Sequence, residues 1–295
     1  MRRPPRDLSE RALAFWLLLP AFALLGLVAV YPVLNLVFTS LRELHLAYGP
    51  QSTFVGLANY ERLLEDGRFA NALRVTLLVT LVTVPGAALL GLVLALLANL
   101  PYTVKWPVRL GLLLPWAMPL VFAGLIFRWF FESDYGVVND VLRRLGLTPL
   151  FWLSDPRLAF WAICASVIWK TSSFVALVLL AGLQSIPKEY YEAAQVDGAN
   201  PWQAFHRITL PLLAPSLFVA LIFRTITALQ TFDIPYAMTG GGPGNATETL
   251  AMYIRTQTVE NLNFGYGSAM AVALFVLCMA TTALYLRFLQ RGEGE

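Results

Sequence analysis

The chain has 295 residues, of which 58% are hydrophobic and only 13% charged, with a formal net charge of +3 and a mean hydropathy of +0.64. Water-soluble domains carry roughly a quarter charged residues; half that share leaves too little polar surface to coat a globule, so most of the chain is predicted to lie in lipid. The net charge is small and says nothing about nucleic acid, and no nucleic-acid partner is expected. Cys164 and Cys278 stand far apart inside apolar runs, where they read as small buried hydrophobes, not as a disulfide or metal framework.

Arg2, Arg3, Arg6 and Arg11 precede an apolar run from residue 12 to about 38. That run is longer than the ~7–15 apolar residues of a cleavable signal peptide, so it is read as a retained first membrane helix. A helix needs ~20 apolar residues to cross ~30 Å of hydrocarbon. Six stretches qualify: 12–39, 71–98, 108–131, 158–183, 212–234 and 268–288. The fold class is therefore an all-α polytopic membrane protein with six transmembrane helices. Pro20, Pro32, Pro85-Gly86, Pro115 and Pro119 fall inside these spans and are expected to be tolerated there, as in packed membrane helices generally.

An even number of spans places both termini on one side. With flanking Arg109 and Arg287, the segments on that side hold ten Lys and Arg against seven acidic residues; the opposite side holds nine against eleven over longer loops. The denser positive charge predicts that both termini are cytoplasmic. The outer loops also look structured. Phe54-Val55-Gly56-Leu57-Ala58-Asn59-Tyr60 leads into a short amphipathic element at 61–66, and 139–147 has helical spacing with Val138, Val141, Leu142 and Leu145 on one side. Capping the bundle, meeting a soluble partner and simple loop packing all stay open for them.

Span four places Lys170 twelve residues after Leu158, roughly 18 Å deep at 1.5 Å per residue. Span five runs the other way and places Arg224 twelve residues after Leu212, again roughly 18 Å deep. A cation costs about 2.5–3.5 kcal/mol at the bilayer centre, so both are expected to face the bundle or a wet cavity. Trp169, Ser173, Gln230 and Asp233 lie nearby along the two spans, with Thr171 and Ser172. Aromatic stacking combined with amide, hydroxyl and charged groups suits a hydroxyl-rich sugar, and two cations suit an anionic solute such as a sugar phosphate. Hydrogen bonding to backbone carbonyls, or bracing a neighbouring subunit, is the alternative for Lys170 and Arg224.

The segment between spans four and five, residues 185–211, is too structured for a simple connector. Pro187 suits the first turn of a helix and Glu189 the positive end of its dipole. Gly198 suits a left-handed stop. Asn200-Pro201 with Gln203 marks a second helix start, expected to run to about Thr209, with Pro211 and Pro215 limiting its extension. The result is a helix-turn-helix elbow. Ala193 and Ala194 offer a small face for close approach, Glu192 an acceptor, and Tyr190, Tyr191 and Trp202 aromatic knobs. Those residues suit protein docking or a solvated cytoplasmic cap.

Glu192-Ala193-Ala194, three residues, Gly198, nine residues, then Ile208-x-Leu210-Pro211 closely resembles the EAA loop of ABC importer permeases. Phe54–Tyr60, residues 181–187 and the stretch from Phe232-Asp233 to Thr239-Gly240-Gly241-Gly242-Pro243-Gly244 are similar to the sugar and glycerol-phosphate branch of that family. The resemblance implies the type I importer permease fold: an N-terminal tail, first helix and outer loop (1–70), a transmembrane domain (71–288) containing the coupling loop, and a short cytoplasmic tail (289–295). It further implies ATP-driven uptake of a sugar or glycerol-phosphate-like solute across the inner membrane of a bacterium or archaeon. The partners would be a second permease, two cytoplasmic ATPases and a periplasmic or lipid-anchored binding protein. ATP and Mg would sit on the ATPases, with no cofactor in this chain. Glu192, Ala193, Ala194, Asp197, Gly198, Ile208, Leu210 and Pro211 would carry the coupling. The large periplasmic insertion of some members is missing, so docking details that depend on it do not transfer.

Other signals carry less. Gly240–Gly244 lacks the Gly-Lys-Ser/Thr ending of a phosphate loop, and Asn245-Ala246-Thr247 is a short sequon of a kind that arises by chance. His45 and His206 have no companion ligands for a metal. An ion-coupled secondary carrier would need paired carboxylates in the membrane, and no acidic residue lies at midplane depth. An intramembrane hydrolase would need a nucleophile elbow, and no Gly-x-Ser-x-Gly occurs, so the chain is expected not to be an enzyme.

Overall fold

The computed structural model describes residues 9–102 and 106–292; most of the expected N-terminal tail, the end of the C-terminal tail and the loop around Lys105 lie outside them. Among the described residues, five helices are long and apolar enough to cross a membrane: Leu13–Ser40, Gly67–Asn99, Pro156–Ser185, Pro201–Leu229 and Phe264–Arg287. A bent pair, Trp106–Ala117 and Leu120–Phe130, makes a sixth if counted as one span. By internal contacts the chain divides into two units, one built from the described residues up to Glu65 with Thr256–Ala273, the other from Asp66–Arg255 with the described residues from Leu274 onward.

In the first unit, α1 (Glu10–Leu25) passes through a π-helical turn (Gly26–Val30) into α2 (Tyr31–Ser40). Its apolar side chains are exposed all round, Leu17 and Leu24 among them, as befits a helix whose solvent is lipid. At Ser40 the chain leaves the helix, and Asn59 holds that exit by donating to the carbonyls of Ser40 (2.8 Å) and Arg42 (2.9 Å). Tyr60 Oη meets Ser40 Oγ at 2.6 Å. The Asn-Tyr of the outer segment thus ties the end of the first span. A two-stranded antiparallel hairpin, β1 (Arg42–Leu44) with β2 (Ser52–Phe54), follows in the register Glu43↔Thr53, a small departure from an all-helical chain. Helix α3 (Ala58–Glu65) is the amphipathic element, begun three residues earlier than its charges suggested.

In the second unit, Asp66 caps α4 (Gly67–Asn99) by accepting from the backbone N–H of Arg68 and Phe69. The third span is broken. Helices α5 (Trp106–Ala117) and α6 (Leu120–Phe130) meet at 96°, whereas the sequence suggested one helix over 108–131. Pro119 forces this: it disfavours helix at Met118, stands as an extended N-cap (φ −58°, ψ 140°) and supplies no N–H to the preceding turn.

Outside the broken span, α7 (Val137–Arg144) is anchored by Asn139, which exchanges hydrogen bonds with Leu150 N–H and C=O and accepts from Trp152 Nε1. Asp155 then caps α8 (Pro156–Ser185). This helix is the most enclosed span and packs along α4 where small residues permit it. A Cβ on Gly91 would lie 2.7 Å from Val175 Cβ, and one on Gly86 2.5 Å from Ile168 Cδ1. Small side chains at such crossings let membrane helices approach closely.

After α9 (Lys188–Val196), α10 (Pro201–Ala204) runs through a π-helical turn (Phe205–Thr209) straight into α11 (Leu210–Leu229). This corrects the expectation that the elbow's second helix stops near Thr209: it is the base of the fifth span. The physical reason recurs in α2. In both places a π turn ends two residues before a proline, Pro32 or Pro211. The locally widened ladder absorbs the missing donor and the ring, and the helix continues. The fifth span also ends earlier than 234. The chain leaves the helix at Gln230, and Asp233–Thr239 forms a separate helix, α12. Helix α12 packs on α6, where a Gly124 Cβ would sit 2.7 Å from Ala237 Cβ. Helix α13 (Leu250–Arg255) starts on Thr76, whose Oγ1 accepts from Leu250 N. The last helix, α14 (Phe264–Gly292), closes the chain.

Candidate coupling elbow and solute cavity

The elbow is built by local rules. Pro187 is the N-cap of α9 (φ −60°, ψ 139°), one position before the first turn in which the sequence placed it. Asp197 is the C-cap, and Gly198 takes the left-handed conformation at φ +77°. Gly198 N donates to Gln195 O (3.1 Å) and Ala199 N to Ala194 O (2.8 Å), the paired bonds of a Schellman stop. Asn200 then opens α10 with a complete capping box, Asn200 Oδ1 accepting from Gln203 N and Gln203 Oε1 from Asn200 N, both at 2.9 Å.

Two anchors hold this turn to the spans. Tyr191 Oη meets Thr209 Oγ1 at 3.0 Å. The Tyr191 ring packs on the buried cluster that includes Leu183, Ile186 and Leu213. The opposite surface is open: Glu192, Ala193, Asp197 and Gly198 are exposed, and Ala194 half-buried. Ile208 and Leu210 are half-buried and Pro211 exposed at the base of the fifth span. Two apolar side chains are left in the open, Val196 at 88% and Trp202 at 70% exposure, Trp202 stacking on His206 at 4.1 Å. Val196 was not singled out from the sequence, although an apolar residue just before a glycine stop is a visible signal. So a rigid joint between α8 and α11 presents an apolar, small-residue surface with acidic edges.

The intramembrane candidates gather around two hollows of about 90 and 300 Å³. Leu120, Thr171, Arg224 and Thr227 line both; Gln230 and Asp233 line the smaller, Lys170 and Trp116 the larger. Trp169 and Ser173 are not in either wall: Trp169 packs edge-on against Phe127 at 5.2 Å, and Ser173 is buried. Lys170 lies in the wall with its ammonium engaged, Nζ donating to Trp116 O at 2.9 Å. That carbonyl belongs to the last turn of α5, which the break at Pro119 deprives of its helical partner, so Lys170 caps a helix C-terminus where a cation is favoured.

Arg224 is 2% exposed. Its Nη2 donates to Thr83 Oγ1 at 2.8 Å and its Nη1 to Thr227 Oγ1 at 3.4 Å, while Nε has no partner. Thr83 escaped sequence reasoning, yet Thr76 and Thr83 stand seven residues apart on an apolar helix, and two hydroxyls at that spacing share a face. Gln230 Nε2 is 3.8 Å from Cys278 Sγ. Elsewhere in this unit, Arg68 forms a two-point ion pair with buried Glu248, both contacts 2.8 Å.

A multi-span helical arrangement, an elbow between its fourth and fifth spans and a hollow into which those two spans set charged and hydroxyl groups suit a membrane transport permease. The chain belongs to the family of binding-protein-dependent transport system inner membrane components, whose model matches residues 87–292. It is 60% identical over 287 residues to the sulfoquinovosyl glycerol transport system permease protein SmoG of Agrobacterium fabrum, covering 97% of this chain and 93% of that one. It is 39% identical to the trehalose/maltose transport system permease protein MalF of Thermococcus litoralis, over 94% of each chain. Among solved structures, a permease chain of a bacterial alginate ABC transporter, in complex with an alginate pentasaccharide-bound periplasmic protein, shares the fold: the TM-score is 0.83 over 98% of each chain, at 24% identity. The protein is thus a multi-pass permease of the sugar ABC importer class.

Proposed function

We propose that this chain forms one part of the translocation path of an ATP-driven importer that carries a sugar or sugar-like solute into the cytoplasm, both termini lying on the cytoplasmic side. It pairs with a second permease and receives solute from a periplasmic or lipid-anchored binding protein. It carries no ATPase site of its own; ATP and Mg are held by two cytoplasmic ATPases. The observation that carries this reading is the elbow: a turn closed by a Schellman stop and a capping box, anchored to two spans through Tyr191, with Glu192, Ala193, Val196 and Trp202 left uncovered. A surface of that kind suits a protein groove. Nucleotide-driven closure of the ATPases would then shift the elbow as a body and bias the spans between two arrangements.

The solutes named for the relatives, sulfoquinovosyl glycerol and trehalose or maltose, are the first to test. The complex, reconstituted with its binding protein in nanodiscs, should hydrolyse ATP several-fold faster with its solute than without. An Ala193→Cys variant should cross-link to an ATPase subunit. Absence of solute stimulation across these sugars together with absence of any cross-link would overturn the proposal.

A further inference from the structure

Arg224 is buried, yet its hydrogen bonds go to threonine hydroxyls and not to a carboxylate. Of its five N–H groups, one is well used, on Thr83, and one is stretched to 3.4 Å on Thr227. A guanidinium out of water with acceptors for only part of its fork is an incomplete constellation, because buried charge persists where an opposite charge or a full set of acceptors meets it. Arg224 and Thr227 both line the two hollows. The charged lining is Lys170 and Arg224 against Asp233, so the enclosed space carries net positive charge, and Lys170 is already held on Trp116 O. Among the described residues no opposite charge is seated on the Arg224 guanidinium.

We infer that Arg224 is the seat for an anionic oxygen group, a sulfonate, carboxylate or phosphate, on a polyhydroxylated solute, an assignment that rests on the importer reading above. The fork geometry of arginine suits two oxygens of one anionic group. Along α11 the next wall residues are Thr227 and Gln230, roughly 9 Å outward from Arg224 for Gln230 at 1.5 Å per residue. Thr171, Thr231 and Asp233 add hydroxyl and carboxylate partners for the hydroxyls of such a solute. Thr83, behind, fixes the guanidinium through Nη2. The solute lies with its charge deep and its neutral end toward the rim.

The test is equilibrium binding to the detergent-free complex in nanodiscs, without binding protein, using sulfoquinovosyl glycerol and its uncharged counterpart, glucosyl glycerol. Wild type should prefer the sulfonate at least 10-fold. Arg224→Gln should remove that preference, weakening the sulfonated ligand 10-fold or more and the neutral one less than 3-fold. Asp233→Asn, which loses a partner for the hydroxyls common to both ligands, should weaken the two by a similar factor and so leave their ratio in place. Equal losses for both ligands in Arg224→Gln would make the residue a brace and overturn the assignment. Loss of the sulfonate preference in Asp233→Asn to the same extent as in Arg224→Gln would do the same, assigning the two residues to each other. Should Arg224→Gln not assemble, wild type decides: methanesulfonate at millimolar concentration should displace the bound sulfonated glycoside and glycerol should not; displacement by neither overturns the seat. If neither glycoside binds wild type while an uncharged sugar drives its ATP hydrolysis, the importer reading survives and the anionic seat does not.

Discussion

Replacing Gly198 by alanine tests the elbow while leaving its surface chemistry alone. A Cβ added there meets nothing within 4 Å, so no steric term enters, and both bonds of the Schellman stop stay available. What remains is the backbone: φ is +77°, a region that costs an L-residue about 1–2 kcal/mol. If the elbow opens locally, that cost raises its opened population about 5–30-fold. Hydrogen exchange by mass spectrometry on the nanodisc complex should show this as faster exchange confined to peptides covering 188–204. Gly198→Pro goes further, removing the donor to Gln195 O and fixing φ near −65°; it should leave the permease inserted with ATP hydrolysis uncoupled from uptake. Unchanged exchange in Gly198→Ala, or normal uptake by Gly198→Pro, would refute the claim that this turn is a rigid handle.

Asn200→Ala removes the side-chain half of the capping box that binds Gln203 N and should cost about 1 kcal/mol locally, seen as faster exchange at the start of α10 with the spans unaffected. Gly91→Ala forces a Cβ to within 2.7 Å of Val175 Cβ and 3.0 Å of Ser172 O; thermal unfolding in detergent should show a loss of about 1–3 kcal/mol, whereas Gly111→Ala, with open space around it, should show none. Glu248→Gln takes the charge from the buried partner of Arg68. Because Arg68 is partly exposed, the loss should sit near the lower end of charge-assisted bonds, about 1.5 kcal/mol, read as a lower unfolding temperature.

The elbow was legible in the sequence because each of its determinants acts within five residues. Gly198 as a left-handed stop and Asn200 with Gln203 as a box are decided by neighbours along the chain. Five of the six expected spans were legible for a related reason, since apolar length alone decides them; the remaining stretch is the bent pair α5 and α6. Proline was the limit. Pro119 breaks a helix, Pro85 is carried inside one, and Pro32 and Pro211 are absorbed by π turns. Sequence treats these four alike, and at the break the freed carbonyl is met by a distant group. At the break that group is Lys170, 54 residues from Trp116. Arg224 and Thr83 are 141 residues apart, and no periodicity announces such a pair. The depth of Lys170 and Arg224 was readable; which of them has its donors occupied was not.

That difference bears on how the elbow and the hollow act together. The same two helices carry both: α8 holds Lys170 and Thr171 and ends at the elbow, and α11 rises from the elbow to Arg224 and Gln230. Helix α8 has its only proline in the first turn, so over the 15 residues from Lys170 to Ser185, some 22 Å, it transmits displacement as a rod. The other arm has Pro211, Pro215 and a π turn at its base, the features at which helices bend. On the importer reading, a push at the elbow would therefore move the Lys170 wall directly, and with it the capped end of α5, while the base of the Arg224 arm would yield as a hinge and let the two sides of the hollow separate. Straightening the hinge, by Pro211→Ala with Pro215→Ala, should weaken the coupling of ATP hydrolysis to uptake without touching the residues that line the hollow. Undiminished coupling in that double variant would show that the asymmetry of the two arms plays no part.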